Sequence, residues 1–151
     1  MNKNIFTKLL KSESSFAPLA LRVPVGITFV AHGAQKLFGA FGGYGLEGTG
    51  QWMASIGLEP GYLMAFLSGS AEFFGGLLIL LGLLTRPASL LLAFTMLVAI
   101  FSVHAANGLF MANNGYEFGL ALLAASVSLI ISGSGKISLD SLIASKLMTN
   151  K

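Results

Sequence analysis

Polar side chains are rare inside the long apolar stretches of this sequence, and they are the first candidates for chemistry. Thr28, His32 and Lys36 recur every four residues and therefore share one helical face, with Gln35 beside them. Glu72 lies near the middle of the next apolar stretch. Ionisable groups in apolar segments are costly, so each is a functional candidate. The alternatives are a hydrated rim for the first group and a buried structural hydrogen bond for Glu72.

A second group of polar residues flanks the later apolar stretches. His104 ends the third stretch, Asn107 follows it, and Glu117 begins the fourth, where the helix dipole alone would also favour a carboxylate. Histidine titrates near neutral pH, and carboxylates can pass protons, so the combined set suits acid–base chemistry. The predicted site consists of three catalytic residues, His32, Glu72 and His104, and six binding residues, Gln35, Lys36, Asn107, Glu117, Phe38 and Trp52, with no residue assigned to a metal.

The composition requires a membrane around these residues. The chain has 151 residues, of which 54% are hydrophobic and 10% charged, and its mean hydropathy is +0.79, whereas soluble domains carry about 25% charged residues. Apolar segments long enough to cross a bilayer predict an all-α integral membrane four-helix bundle in contact with lipid. The predicted spans are 16–38, 62–84, 88–106 and 116–132, between polar tails at 1–15 and 133–151.

The basic residues predict the orientation. Of the nine Lys and Arg residues, only Lys36 falls outside when both termini are cytoplasmic, as the positive-inside rule favours. We therefore expect a multi-pass membrane protein with both termini on the cytoplasmic side and with Arg22 snorkelling at the inner end of the first span. The absence of cysteine excludes disulfides and thiolate metal sites. No basic stretch interleaves with aromatics, so nucleic acid is not an expected partner.

The connections carry turn residues. In the glycine-rich segment 39–60, Thr49 is predicted to N-cap a short interfacial helix that Gly57 ends, with Trp52 as an anchor. Thr85 to Pro87 are predicted to form the tight turn between the second and third spans. Residues 138–148 are predicted to form a surface helix.

An internal similarity relates the outer ends of two spans. HGAQKLFGAFGGY, 32–44, aligns with HAANGLFMANNGY, 104–116, and seven of the thirteen positions match. The two histidines of the chain occupy equivalent positions in this alignment. Both segments end outward-going spans, so a duplicated two-helix hairpin would be a parallel repeat. Convergence of loop chemistry is the alternative.

Four runs of sequence resemble the DoxX family of small membrane proteins. They are LRVPVGITFVAHGAQKLFGAFGGYGLEGTGQWMASIGLEP, AEFFGGLLILLGLLTRPASLLLA, VHAANGLFMANNGYEFGLALLAA and GKISLDSLI. The resemblance covers about residues 16–143 and implies a four-helix inner-membrane protein linked to redox physiology. Relatives of this kind include a quinone-reducing subunit and membrane partners of oxidative-stress enzymes.

The residues and the resemblance together favour a quinone or hydroquinone in an outward-facing polar pocket. Phe29, Phe38, Phe73, Phe74 and Phe101 are expected to wall the apolar slot. Electrons would come from a partner subunit or a cofactor. A non-enzymatic anchor or assembly subunit, acting with a partner or as a homo-oligomer, is the main alternative. Lesser alternatives are a b-type haem protein with His32 and His104 as axial ligands and a small-solute or proton transporter.

Overall fold

The computed structural model describes residues 15–149. The predicted polar tail at 1–15 therefore lies outside the described residues except for Ser15, as do Asn150 and Lys151 at the other end. Within 15–149 the secondary structure is helical, without strands, which confirms the all-α class. The described residues contain six α-helices: α1 (Ala17–Phe38), α2 (Gly45–Ser55), α3 (Gly61–Leu81), α4 (Thr85–Ala99), α5 (Glu117–Ser132) and α6 (Leu139–Thr149).

Three of the helices in the described residues are long and apolar enough to cross a membrane. They are α1, α3 and α4, the last because a π turn (Ile100–His104) and a 3-10 turn (Ala105–Asn107) extend it into one rod of 23 residues. The fourth apolar helix, α5, has only 16 residues. At about 1.5 Å per residue it is about 24 Å long, short of a hydrocarbon core of about 30 Å.

Glycines let α1 and α3 pack with their backbones close together. A Cβ atom added at Gly76 would lie 2.8 Å from the Val30 nitrogen, and one added at Gly33 would lie 2.7 Å from the Phe73 Cα. Both positions therefore exclude any side chain, as in other membrane helix pairs. The hairpin of α4 and α5 packs beside this pair, and Phe29, Ile79, Leu92 and Leu129 form the centre of the shared core.

One end of the bundle, here called the basal end, contains Ser15 to Pro18, the turn 82–84 and residues 132–140. Arg22 is 3% exposed there. Its Nε donates to the Ser134 carbonyl at 3.0 Å, and its Nη1 donates to the Ile79 carbonyl at 3.2 Å. Further bonds reach the carbonyls of Leu80 and Ile137. The predicted snorkelling of Arg22 is therefore wrong, because carbonyl oxygens inside the protein replace water around the guanidinium.

Asp140 caps α4 at the same end. Its two carboxylate oxygens accept the backbone N–H groups of Leu84, at 2.7 Å, and Thr85, at 3.0 Å. The reversal of the chain is made by Gly82 to Leu84, and Thr85 already belongs to α4. The predicted turn at Thr85 to Pro87 is therefore wrong by three residues. Proline is tolerated here because the first turn of a helix needs no intrahelical N–H donor.

The two predicted surface helices also differ in detail from the structure. α2 begins at Gly45, so Thr49 is a buried residue inside it and not its N-cap. Gly57 has a φ of +85° in the turn after this helix, consistent with a helix end. α6 lies within one residue of the predicted bounds 138–148, and Ser138 and Asp140 at its start are buried.

Candidate functional site

The opposite end of the bundle, here called the pocket end, contains residues 38–60 and 104–117. An ion pair between the Lys36 ammonium and the Glu72 carboxylate joins α1 to α3 just below it. The Glu72 side chain is 5% exposed and the Lys36 side chain 24%. The buried carboxyl group in the middle of the second predicted span is therefore paired with a lysine of the neighbouring helix. A carboxylate so deeply buried requires such a partner to remain charged.

A cavity of about 270 Å³, here called the inner cavity, lies between α1, α3, α4 and α5 beside this ion pair. Three of its polar residues come from three different helices or their extensions, His32, Glu72 and His104. Lys36 also borders it. The remaining walls are mostly apolar or backbone and are formed by Phe29, Met96, Ala99, Met111, Asn114, Gly115, Phe118, Gly119 and Leu122.

His104 is oriented by the loop that follows it. It ends the π turn Ile100–His104, and its Nδ1 lies 2.8 Å from the Asn114 carbonyl oxygen. A carbonyl can only accept, so Nδ1 carries the proton and donates it. Nε2 is then the nitrogen free to exchange a proton. π turns inside α-helices are frequent at functional sites, where they change the direction of side chains.

His32 lies on α1 at the seam with α5. Its ring centroid is 5.9 Å from that of Phe118, and the two planes are inclined at 50°. The imidazole is half-buried and lies one helical turn before Lys36. The seam therefore brings an aromatic wall from α5 against the polar face of α1. Phe118 was not among the predicted wall residues.

A second cavity of about 590 Å³, here called the vestibule, lies between the end of α1, the following turn and α2. Lys36 borders this cavity as well as the inner one. The residues that line the vestibule are Gln35, Lys36, Gly42, Gly43, Tyr44, Gly48, Thr49 and Trp52. The single predicted pocket is thus divided into two compartments, with Gln35 and Trp52 in the vestibule and both histidines in the inner cavity.

Three predicted site residues lie outside both linings. Asn107 donates from its amide to the carbonyls of Val103, at 3.2 Å, and Asn114, at 3.3 Å. The Glu117 carboxylate accepts the Met111 N–H at 2.6 Å. Both side chains therefore hold the 108–116 loop. Phe38 is 65% exposed and packs edge-on against Phe73, with centroids 5.3 Å apart.

The aromatic wall also differs from the expectation. Phe29 lines the inner cavity, but Phe74 and Phe101 are 57% and 75% exposed. Phe118 and two methionines, Met96 and Met111, take their place. These residues carry no distinguishing signal, since α1, α3, α4 and α5 have exposed as well as buried apolar residues. Asn114, with its positive φ of 60°, was part of a turn-residue cluster that could have pointed to an ordered carbonyl.

The two similar segments have similar backbones at their ends. Tyr44 precedes α2 with φ and ψ of −91° and −4°, and Tyr116 precedes α5 with −92° and 0°. Gly42 and Asn114, equivalent in the alignment, both have positive φ. The following helices differ, because α2 is a short helix whereas α5 is an apolar rod. The correspondence is therefore local, and duplication of a hairpin stays a prediction.

Comparison with known proteins places the chain in a class. The DoxX family model matches residues 17–105, a segment that contains His32, Lys36, Glu72 and His104. A Bacillus subtilis protein named "Putative oxidoreductase CatD" is 39% identical over 122 residues, covering 81% of this chain and 83% of the relative. No solved structure gives a significant match.

Two Escherichia coli proteins give further matches. "Inner membrane protein YqjF" is 35% identical over 143 residues, covering 91% of this chain and 99% of the relative. "Inner membrane protein YphA" is 32% identical over 127 residues, covering 81% and 86%. With its apolar helical rods, this chain is a multi-pass protein of the bacterial inner membrane. It belongs to the DoxX family.

Proposed function

We propose that this protein binds the head group of a quinone or hydroquinone in the inner cavity, as a membrane subunit or partner of an oxidoreductase. The observation that carries the proposal is the Lys36–Glu72 ion pair, which shares one apolar-walled cavity with His32 and His104. Ionisable groups inside a membrane bundle are retained mainly where they act on a substrate or a proton.

The chemistry of a quinone fits this set of residues. Its head group is flat and apolar, with carbonyl oxygens that become hydroxyls on reduction. Phe29, Met96 and Leu122 offer apolar walls, and the Lys36 ammonium can donate to a carbonyl oxygen. The cavity of about 270 Å³ is slightly smaller than sites for drug-sized ligands, about 300–1,000 Å³. This size favours a single-ring head group whose tail remains in the lipid.

Proton exchange is assigned to one histidine, His104, and one carboxylate, Glu72. His104 holds its Nδ1 proton against the Asn114 carbonyl, so its Nε2 accepts or releases the second proton. Glu72 accepts a proton when a ligand draws Lys36 away, because a buried carboxylate without its cation is costly to keep charged. The two groups would serve the two oxygens that a hydroquinone presents.

None of these side chains is a two-electron carrier, so the proposal includes a partner subunit or a bound cofactor as the electron donor. The assembly is either a complex with a partner subunit or a homo-oligomer that binds such a cofactor. The name of the Bacillus subtilis relative supports oxidoreductase chemistry for a protein of this family. A b-type haem has less support, because its four-ring macrocycle is large for a cavity of about 270 Å³.

The proposal extends to the arrangement in the membrane. We propose four spans, with α5 as the fourth, and a cytoplasmic basal end, so that both cavities lie toward the outer face. The start of α1 and the segment after α5 meet at the basal end, where the Lys136 N–H donates to the Ser15 carbonyl at 3.1 Å. The start of α1 and the segment that leads from α5 to α6 therefore lie on the same side of the bundle.

The proposal is tested by binding of decylubiquinone to the purified protein in nanodiscs, measured by calorimetry with empty nanodiscs subtracted. Loss of a charged hydrogen-bond partner is expected to weaken binding about tenfold or more in the His32→Ala, Glu72→Gln double variant. Glu47→Gln makes the same carboxylate-to-amide change on an exposed face of α2. It should bind within about twofold of the unaltered protein. Unchanged binding by the double variant would remove the inner cavity as the quinone site.

A further inference from the structure

The vestibule is a cavity that the quinone proposal leaves without a role. At about 590 Å³ it lies in the usual range for small-molecule sites, about 300–1,000 Å³. It is formed by the segment between α1 and α3 and not by the membrane-spanning rods alone. Tyr44 is 83% exposed, and the polar residues Glu47 and Gln51 of α2 are exposed beside it. This cavity therefore faces the aqueous side of the pocket end.

The walls of the vestibule suit a flat ring. Tyr44 and Trp52 contribute aromatic side chains, and three glycines contribute bare backbone. A Cβ added at Gly42 would meet no atom within 4 Å, so this side of the cavity is open space. Aromatic rings attract one another in stacked or edge-on arrangements, beyond the burial of their area.

The inner end of the vestibule is polar. The Gln35 amide nitrogen lies 3.4 Å from the Phe41 carbonyl oxygen, a long contact that leaves donor capacity for a ligand. The Lys36 ammonium has three N–H donors, and Glu72 takes one of them. The others can be directed to an oxygen atom in the vestibule. The charge of Lys36 is already balanced by Glu72, so this end favours carbonyl or hydroxyl oxygens.

We propose that the vestibule is a second ligand site, which binds a water-soluble flat aromatic molecule carrying carbonyl or hydroxyl oxygens. We infer further that its occupancy is coupled to the inner cavity through Lys36, an inference that rests on the proposed function. A ligand that draws the ammonium toward Gln35 weakens the Lys36–Glu72 contact and so changes the affinity of the inner cavity. Such coupling between two sites is reciprocal.

The first test uses 1,4-naphthoquinone-2-sulfonate as the probe, because its charge keeps it in water. Trp52 is the only tryptophan of the chain, so quenching of its fluorescence reports on the vestibule. Saturable quenching is expected, weakened about fivefold or more by Gln35→Leu and by Tyr44→Ala. The matched variants Gln51→Leu and Tyr62→Ala, which alter exposed residues outside the lining, should stay within about twofold.

Two outcomes of this test would overturn the proposal. One is quenching that rises without saturation and is the same in all four variants, which indicates collision with an exposed tryptophan. The other is equal competition by p-toluenesulfonate, which has the ring and the charge but no carbonyl oxygens. Gln35→Leu keeps the side-chain volume nearly unchanged, so it answers the question even if Tyr44→Ala folds poorly.

The second test separates this inference from the quinone proposal. His104→Ala alters the inner cavity alone, so it should weaken decylubiquinone binding about tenfold or more while the sulfonate probe still quenches Trp52. Saturating sulfonate should change the decylubiquinone Kd about threefold or more in the unaltered protein and leave it unchanged in Lys36→Met. Decylubiquinone binding that depends on Glu72, combined with probe binding insensitive to Gln35 and Tyr44, would overturn the vestibule and leave the proposed function standing.

Discussion

The two ends of this bundle contain buried charges in opposite surroundings. At the basal end, the Arg22 guanidinium is surrounded by four main-chain carbonyls, and Asp140 binds two main-chain N–H groups. At the pocket end, Lys36 and Glu72 pair with each other beside two cavities. The basal charges are bound by main-chain groups, whereas the pocket charges border open space.

This difference distinguishes buried charges that stabilise the fold from buried charges that are available for chemistry. A charge held by fixed carbonyls cannot bind a ligand without unfolding the segment that holds it. A side-chain pair can open, because each partner can exchange the other for a ligand, a proton or water. We therefore expect substitutions at the basal end to lower stability and substitutions at the pocket end to change ligand binding.

The largest effect is expected for Arg22→Met. Methionine preserves the apolar stem but removes every donor to the carbonyls of Ser134, Ile137, Ile79 and Leu80. We expect the free energy of unfolding to fall by about 3–5 kcal/mol, as for other broken buried charge interactions. The measurement is SDS-induced or thermal unfolding in mild detergent.

Lys136→Met is the matched control for this variant. Lys136 is exposed near the same end, with its ammonium 5.3 Å from the centre of the Phe16 ring. Its removal should cost less than about 1 kcal/mol. Equal destabilisation by the two variants would mean that Arg22 is not held as described and would end the distinction between the two ends.

The next effect concerns the Lys36–Glu72 pair. Lys36→Met and Glu72→Gln should each destabilise, because each leaves one polar group of the pair in a nearly buried position. The double variant should be less destabilised than the sum, with a coupling of about 1–3 kcal/mol in a double-mutant cycle. Decylubiquinone binding should be weakened about tenfold or more in all three variants, including those that remain fully folded.

A cycle with no coupling would show that the two side chains do not interact in the membrane. Full retention of ligand binding by the folded double variant would instead show that the pair is only structural. The second result would make the pocket end resemble the basal end and would remove the comparison on which the proposed function depends.

The long helices could be predicted because they depend on hydropathy. α1, α3 and α5 begin and end within three residues of the predicted spans. α4 begins three residues before its predicted span, and the π and 3-10 turns that continue it end at Asn107, one residue beyond that span. The basal end could not be predicted in the same way. Asp140 caps a helix that begins 55 residues earlier, and Arg22 binds carbonyls up to 115 residues away. Main-chain acceptors carry no residue-type signal.

Part of the candidate site could be predicted from the sequence. His32, Lys36, Glu72 and His104 stand out as polar residues in apolar segments, and the structure places them around one cavity. Their catalytic roles stay predictions. The division into two compartments could not be foreseen, because it depends on how α2 folds back over the end of α1. Trp52 was expected as an interfacial anchor and as a binding residue, and it lines the vestibule.

A smaller effect is expected for Asp140→Ala. This substitution leaves the N–H groups of Leu84 and Thr85 without their carboxylate acceptor at the start of α4. Loss of such a cap costs about 0.5–2 kcal/mol. The same unfolding assay measures it, and Asp140→Asn should recover part of the loss because its amide oxygen can still accept one bond. No difference among the three proteins would contradict the capping role.

Phe38→Ala should have the smallest effect. It tests whether the ligand-binding region extends to the outer surface of α1. Phe38 is 65% exposed and lies outside the linings of both cavities, although the sequence suggested it as a binding residue. Its contact with Phe73 is worth about 0.5–1.5 kcal/mol at most. Both decylubiquinone and the sulfonate probe should therefore bind within about twofold of the unaltered protein. Phe29→Ala, in contrast, alters a wall of the inner cavity and should weaken decylubiquinone binding alone. If Phe38→Ala had the greater effect, the ligand would bind on the outer surface of α1. The Lys36–Glu72 pair would then have only a structural role, like the buried charges of the basal end.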